Sequence, residues 1–198
     1  MKDCSNKIKI ILASASPRRK ELLSQIGVDF KVMVSDKETN IGGGDPKKEC
    51  LAQAMQKALD IEKRLSENNE KNYIIIAADT IVSINNIILG KPKNKEDAKA
   101  MLNMLSGKKH KVYTAVCVFN EVLKSHESFV ESTDVEVAAL DAGELKEYLD
   151  MDEPYDKAGA YGIQGFFSRY IVGIEGDYYN VMGLPIGRLY REHLAGFV

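Results

Sequence analysis

The sequence predicts an α/β fold on a mixed sheet, and three observations carry that prediction. Short, nearly unbroken apolar runs at residues 8–13 and 73–78 read as strands covered on both faces. Helical patterns with an apolar residue every three or four positions lie between and after them. Several later strand patterns are joined by turn signals, which calls for antiparallel pairs beside the parallel ones.

Along the chain, Ser16-Pro17 opens the first helix, a hydroxyl N-cap followed by proline where no N–H is needed. With Leu22, Leu23 and Ile26 inward, it stops at Gly27, a natural C-cap. Residues 28–34 read as the second strand. Gly42-Gly43-Gly44 is a loop, and Asp45-Pro46 starts a helix over about residues 47–65, with Leu51, Met55, Leu59 and the alanines between as its amphipathic pattern. The strand at 73–78 ends directly on Asp79-Thr80, and IVSINNIIL forms a hairpin turning at Asn85-Asn86. Asn94 caps a helix to Leu105, closed by Ser106-Gly107. Two long strands follow at 111–119 and 128–138, then a capping box at Asp141 and Glu144. Beyond Glu153-Pro154 come the glycine-rich AGAYGIQG, a strand at 169–174, DYYNVMGLPI and a last helix.

The 198 residues are enough to bury a sizeable core, with 44% hydrophobic and 28% charged residues. A formal net charge of -2 gives nucleic acid binding no compositional support, so any anion site must be a local cluster. Cys4, Cys50 and Cys117 lack metal-ligand spacing, and Cys117 sits in an apolar run as a buried thiol, a usage that fits a reducing cytosol. MKDCSNKIKI has no apolar signal core, and no run approaches the ~18 apolar residues of a membrane helix. The expectation is a soluble, cytoplasmic protein.

ILASASPRRKELL carries the first chemical signal: two arginines open a helix whose N-terminus the macrodipole already makes positive. A bound polyanion resolves that conflict. Ser14 to Arg19, Asp79-Thr80 and Gly90-Lys91-Pro92 all follow buried strands at once, and ligands of open α/β sheets bind outside the carboxyl ends of strands. If these ends meet, Arg18, Arg19 and Lys91 surround a carboxylate, a set suited to a polyphosphate with a divalent metal. The plainer alternatives are a cap with solvated arginines, an Asp turn and a surface lysine. The triple glycine lacks the P-loop pattern, and Ser14 and Ser16 lack a G-x-S-x-G elbow, which discounts acyl transfer. His110, His126 and His193, without i, i+4 partners, read as structural, and Tyr178 and Tyr179 as packing residues.

ASASPRRKELL, AADTIV, LGKP, SGKKHKVYTAV, EPYDKAGAYGIQG and GDYYNVMGLPI, in order along nearly the whole chain, resemble the Maf family of nucleoside triphosphate pyrophosphatases. The resemblance implies one domain over residues 1–198 with the Maf/Ham1-like (ITPase-like) α/β fold: a long twisted mixed sheet flanked by helices, in two lobes around a cleft. It implies hydrolysis between the α and β phosphates with a divalent cation, Mg2+ or Mn2+, and, from resemblance alone, a homodimer. Nucleic acid and membrane partners are not expected. By position, Asp79 matches the proton acceptor, and Glu38 an acidic residue that holds the metal with Asp79 or orients the water. Ser14, Arg18, Arg19, Lys57 and Lys91 match the groups that grip the triphosphate. A-x-x-K-A fits residues 54–58, although Ala52 offers a register that would put Gln56 in place of Lys57.

SPRR, ADT and GIQG resemble the branch acting on dTTP and UTP, with Arg18, Thr80 and Gln164 at its specificity positions. A Gln amide both donates and accepts, matching a pyrimidine edge. The competing readings are a regulatory binding protein of septum formation, a non-catalytic nucleotide sensor and a 7-methyl-GTP pyrophosphatase. If the arginines serve the ligand, replacing either by alanine should lower turnover and leave the melting temperature unchanged.

Overall fold

The computed structural model describes residues 8–35, 37 and 44–197. The first apolar run forms β1 (Lys9–Leu12), whose Ile10, Ile11 and Leu12 are buried because helices cover both faces of the sheet there. β1 pairs in parallel with β2 (Phe30–Val32) on one side and with β3 (Tyr73–Ile84) on the other. β2 is shorter than residues 28–34 and largely exposed, as an edge strand can be. β4 (Ile87–Leu89) and β5 (Lys109–Asn120) pair antiparallel with β3, and β6 (Ser125–Val137) and β7 (Ile171–Glu175) extend the sheet antiparallel, in the order β2-β1-β3-β5-β6-β7. The sheet is mixed, as the turn signals require.

β3 organises the molecule. It pairs with β1 through Tyr73 to Ile76 and with β4 through Val82 to Ile84, so residues 77–81 lie where one neighbour hands over to the next. The expectation that the strand ends before Asp79-Thr80 is corrected here. The polar pair interrupts the apolar run, but β5 pairs straight past it, Asp79 opposite Ala115 and Thr80 opposite Thr114.

Alternation along β3 assigns its residues to two faces. Ile74, Ile76 and Ala78 pack in one cluster with Leu22 and Leu23 of α1 (Pro17–Gln25), Met182 of α5 (Tyr178–Met182) and Ile186 and Leu189 of α6 (Ile186–Leu189). Ile75, Ala77 and Ile81 pack against α2 (Pro46–Glu67). Val82 and Ile84 join a third cluster with α3 (Lys95–Leu105), α4 (Ala142–Leu149) and the short 3-10 turns beyond. The first two clusters and the third are the cores of two lobes.

Local signals are realised closely. Asn85 and Asn86 both take left-handed φ angles, 51° and 63°, as a two-residue hairpin turn demands. Asn94 accepts the Asp97 N–H, and Asp141 with Glu144 completes both arms of a capping box. Two expectations are corrected. Ser16 stands at the N-cap of α1, yet its hydroxyl takes no N–H of the first turn. In α2 the inward face is Cys50, Gln53, Ala54, Ala58, Ile61 and Leu65, and Leu59 is 48% exposed. Small side chains let this helix lie close on the sheet, so its largest apolar residues are not all its inward ones.

Candidate active site

A cavity of about 360 Å3 opens where β3 changes neighbours, within the size range of small-molecule sites. The alternation of the strand sends Asp79 toward α2 and Thr80 toward α1.

On the α2 side, Lys57 Nζ donates to Asp79 Oδ1 at 2.6 Å, with both side chains largely buried. Gln53, one turn earlier on the helix, is buried and lines the same cavity. Cys50 sits against the strand: its thiol lies 3.3 Å from the Asp79 carbonyl and 3.4 Å from that of Tyr113, and accepts the Ala115 N–H at 3.2 Å. Burial, aided by the Asp79 charge, pushes this thiol up to about 12, so at neutral pH it remains a donor that ties α2 to the sheet.

On the α1 side, Arg19 is buried and three of its five N–H donors have protein acceptors. Nε reaches the Gly183 carbonyl at 2.8 Å, Nη1 reaches Ser14 Oγ at 3.0 Å, and Nη2 reaches Thr80 Oγ1 at 2.9 Å. Burial pulls the guanidinium down from its ordinary value and the Asp79 charge opposes that shift; an arginine stays charged all the same. Thr114 donates to the Asn180 carbonyl at 2.8 Å, so Thr80, 3.0 Å away, is the donor between the two hydroxyls. The Thr80 proton therefore points into the protein. Gly183 makes the Arg19 contact through a left-handed C-cap of α5 with φ +113°, a conformation that disfavours any side chain.

The opposite wall is built from 3-10 turns over Glu153–Asp156 and Ala158–Ala160, and from the turn at Gly162 to Gly165 that exposes Gln164 to the cavity. Tyr161 anchors it through a 2.8 Å hydrogen bond to His110 Nε2. Burial pushes His110 down to about 4, so the ring is neutral at pH 7. The Gly159 N–H donates to the Gly90 carbonyl at 3.0 Å, joining this wall to the Lys91 segment. At the mouth, Arg18 Nη1 lies 3.6 Å from Asp156 Oδ2. Burial raises the Asp156 carboxyl, but its hydrogen bond to Lys157 and the Lys157 and Arg18 charges outweigh that and hold it below its ordinary value.

Among the described residues, no three His, Cys, Asp or Glu side chains gather as a metal cluster. Asp79 is the carboxylate at the cavity floor, and Asp156 is engaged by cations at the rim. This donor set suits a hard cation that brings most of its ligands with it, as Mg2+ does when bound to phosphates and water.

The family model described as Maf-like protein matches residues 9–195. The chain belongs to the Maf family. It is 48% identical over 187 residues to a protein of Lachnoclostridium phytofermentans named dTTP/UTP pyrophosphatase, with 93% of each chain covered. Proteins with the same name from Agathobacter rectalis (46% identical, 93% of this chain and 95% of the relative) and Bacillus thuringiensis subsp. konkukian (48%, 93% of each) are similarly related.

Of the residues singled out by resemblance to the Maf family, Arg18, Arg19, Asp79, Thr80, Lys91 and Gln164 line this one cavity. Lys57, and not Gln56, meets Asp79. Ser14 stands buried behind Arg19, where its Oγ accepts from Arg19 and from the Ser16 N–H. Glu38 lies outside the described residues. Arg19 also lines the cavity, and three of its five donors are engaged by the protein itself, so it ties the wall together beside Arg18. None of the three histidines lines the cavity: His110 holds Tyr161, while His126 and His193 stack on Phe119 and Phe129. Sequence reasoning missed Cys50, Gln53, Thr114, Asn180 and Glu153. The i, i+4 spacing of Gln53 to Lys57 is the one signal that could have found any of them.

Proposed function

We propose that this protein hydrolyses dTTP and UTP between the α and β phosphates, releasing the nucleoside monophosphate and pyrophosphate. The observation that carries the reading is the Asp79–Lys57 pair, a carboxylate held at 2.6 Å by an ammonium on the floor of a cation-lined cleft. The names of relatives that match over 93% of the chain supply the substrates.

In this reading Lys57 occupies Oδ1 of Asp79, leaving Oδ2 for the attacking water. The water oxygen bonds to the α-phosphorus, the bridging bond to the β-phosphate breaks, and its electron pair leaves with pyrophosphate. Asp79 takes the water's proton. As the triphosphate enters, its oxygens compete for Lys57. Arg18 and Lys91 grip the phosphates at the mouth, and Arg19 with Ser14 and Thr80 fixes the wall behind them. Asp79, together with Glu38, would hold a divalent cation, Mg2+ or Mn2+, which neutralises phosphate charge and acidifies a bound water. Gln164 reads the pyrimidine edge. The protein works as a single cytoplasmic domain on free nucleotides, in a homodimer.

The test is pyrophosphate release from dTTP, UTP, CTP, ATP, GTP and 7-methyl-GTP, with magnesium and with chelator, alongside Asp79→Asn. Metal-dependent turnover of dTTP and UTP, lost in the variant, is expected. Preferred turnover of 7-methyl-GTP would sink the pyrimidine assignment. Absence of any turnover would shift the reading to a regulatory binding protein.

A further inference from the structure

The turn that carries Gln164 rests on a carboxylate that the reaction does not use. Glu153 Oε2 accepts the Phe166 N–H at 2.8 Å, and Oε1 accepts the Tyr148 hydroxyl at 3.1 Å. Tyr148 is fully buried and packs against Phe167, so this carboxylate is tied to the core of its lobe. Lys157 Nζ in turn donates to the Glu153 carbonyl at 2.7 Å.

The carboxylate also fills the room that a side chain at residue 165 would need. A Cβ on Gly165 would lie 2.2 Å from Oε2 and 2.3 Å from Cδ of Glu153. Gly165 has φ −91°, outside the left-handed region, so a side chain there is opposed by the Glu153 carboxylate, which it would displace, and not by backbone conformation. On the other side of Gln164, a Cβ on Gly162 would meet Lys157 Cε at 2.8 Å. The glycines of this turn are thus fitted around Glu153 and Lys157. A turn held by a charge-assisted hydrogen bond and packed on these two side chains presents the next side chain in one place.

We infer that Glu153 is a positioning residue for base selection: it seats the turn of residues 162–166 so that the Gln164 amide stands at the base edge. The inference rests on the proposed reading of Gln164. Glu153 reaches neither Asp79 nor the phosphate-gripping cations, so its loss acts on which base is accepted and spares the chemical step.

The experiment is steady-state kinetics on dTTP, UTP, CTP and ATP, with melting temperatures, for Glu153→Ala, Glu153→Gln, Gly165→Ala, the Glu153→Ala/Gly165→Ala double variant and Gln164→Ala. Glu153→Ala should raise KM for dTTP and UTP by about tenfold, the size of one mispaired buried hydrogen bond, and flatten the preference over other bases at nearly constant kcat. Glu153→Gln should restore the preference, because its amide oxygen accepts from Phe166 while its NH2 donates to the Tyr148 oxygen. Gly165→Ala should reproduce the loss on its own, which carries the test if Glu153→Ala fails to fold. It should add little in the double variant, where the space is vacated. A Glu153→Ala enzyme that melts lower yet keeps its base preference, while Gln164→Ala abolishes it, overturns the inference and leaves the base reader standing. Unchanged preference in Gln164→Ala overturns both together.

Discussion

On the Arg19 side of the cleft, every placed side chain is fixed by a strand or a helix end. Arg19, Ser14, Thr80, Thr114 and Asn180 form one hydrogen-bonded chain from α1 across β3 and β5 to α5. On the Gln164 side the backbone runs through short 3-10 turns, and single side chains anchor it, Glu153 to Phe166 and His110 to Tyr161. In the proposed reading the first arrangement holds charge in place for chemistry and the second holds one amide for selection, and dependence on single anchors makes the second the wall more easily retuned. Substitutions on the two walls should therefore separate, turnover falling on one side and base preference on the other.

The largest expected effect is at the floor between the walls. Asp79→Asn removes the proposed proton acceptor and should lower kcat by about 10^3-fold on every nucleotide accepted, with selectivity unchanged. A loss confined to one base would erase the distinction between the walls.

Arg19→Ala comes next. It leaves Ser14, Thr80 and the Gly183 carbonyl without their buried donor and should destabilise by about 3–5 kcal/mol, or roughly 10 °C in Tm. Arg19→Lys should recover little, because an ammonium cannot span three acceptors set for a planar fork. A melting temperature equal to wild type would leave Arg19 with the phosphate-gripping role alone.

Acid should loosen the second wall. His110 is pushed from 6.5 down to about 4 by burial. The unfolded chain therefore binds the extra proton first, so stability is full above about pH 6.5 and falls as pH drops toward 4. The loss amounts to about 3 kcal/mol. Denaturant unfolding at a series of pH values should show this slope, and His110→Gln should flatten it. The smallest effect is expected for Arg18→Ala. Its pair with Asp156 is partly exposed and worth little, so Tm should stay within about a degree, while KM for the triphosphate rises several-fold. Kinetics and a melting curve on one preparation check both halves.

Much of this was legible in the sequence because it is local chemistry. Asn85-Asn86, Asn94 and Asp141 with Glu144 declare their turn and caps within a few residues, whereas Lys57 came from family resemblance with a second register open. What was not legible depends on partners far along the chain. Asp79 looked like a strand end because an exchange of neighbours on β3 leaves the same trace in a sequence as a terminus. Arg19 looked like its neighbour Arg18 because nothing local shows that Gly183, 164 positions away, supplies an acceptor. Leu59 looked inward because a helix packed by cysteine, glutamine and alanine carries its bulk on the other face. Glu153 was invisible because the group that it holds in the Gln164 turn is a backbone N–H, which has no letter in a sequence.

β5 runs beside β3 from Ile74 to Ser83 without a break in register, past the point where β1 gives way to β4. β6 pairs with β5 along its whole length, so the lobes are joined by a ribbon of three strands and not by a tether. Opening the mouth means twisting that ribbon as a torsion spring, with every rung of the ladder resisting, whereas a flexible linker would swing at no such cost. The compartment is accordingly shaped in advance by the ladder that spans it.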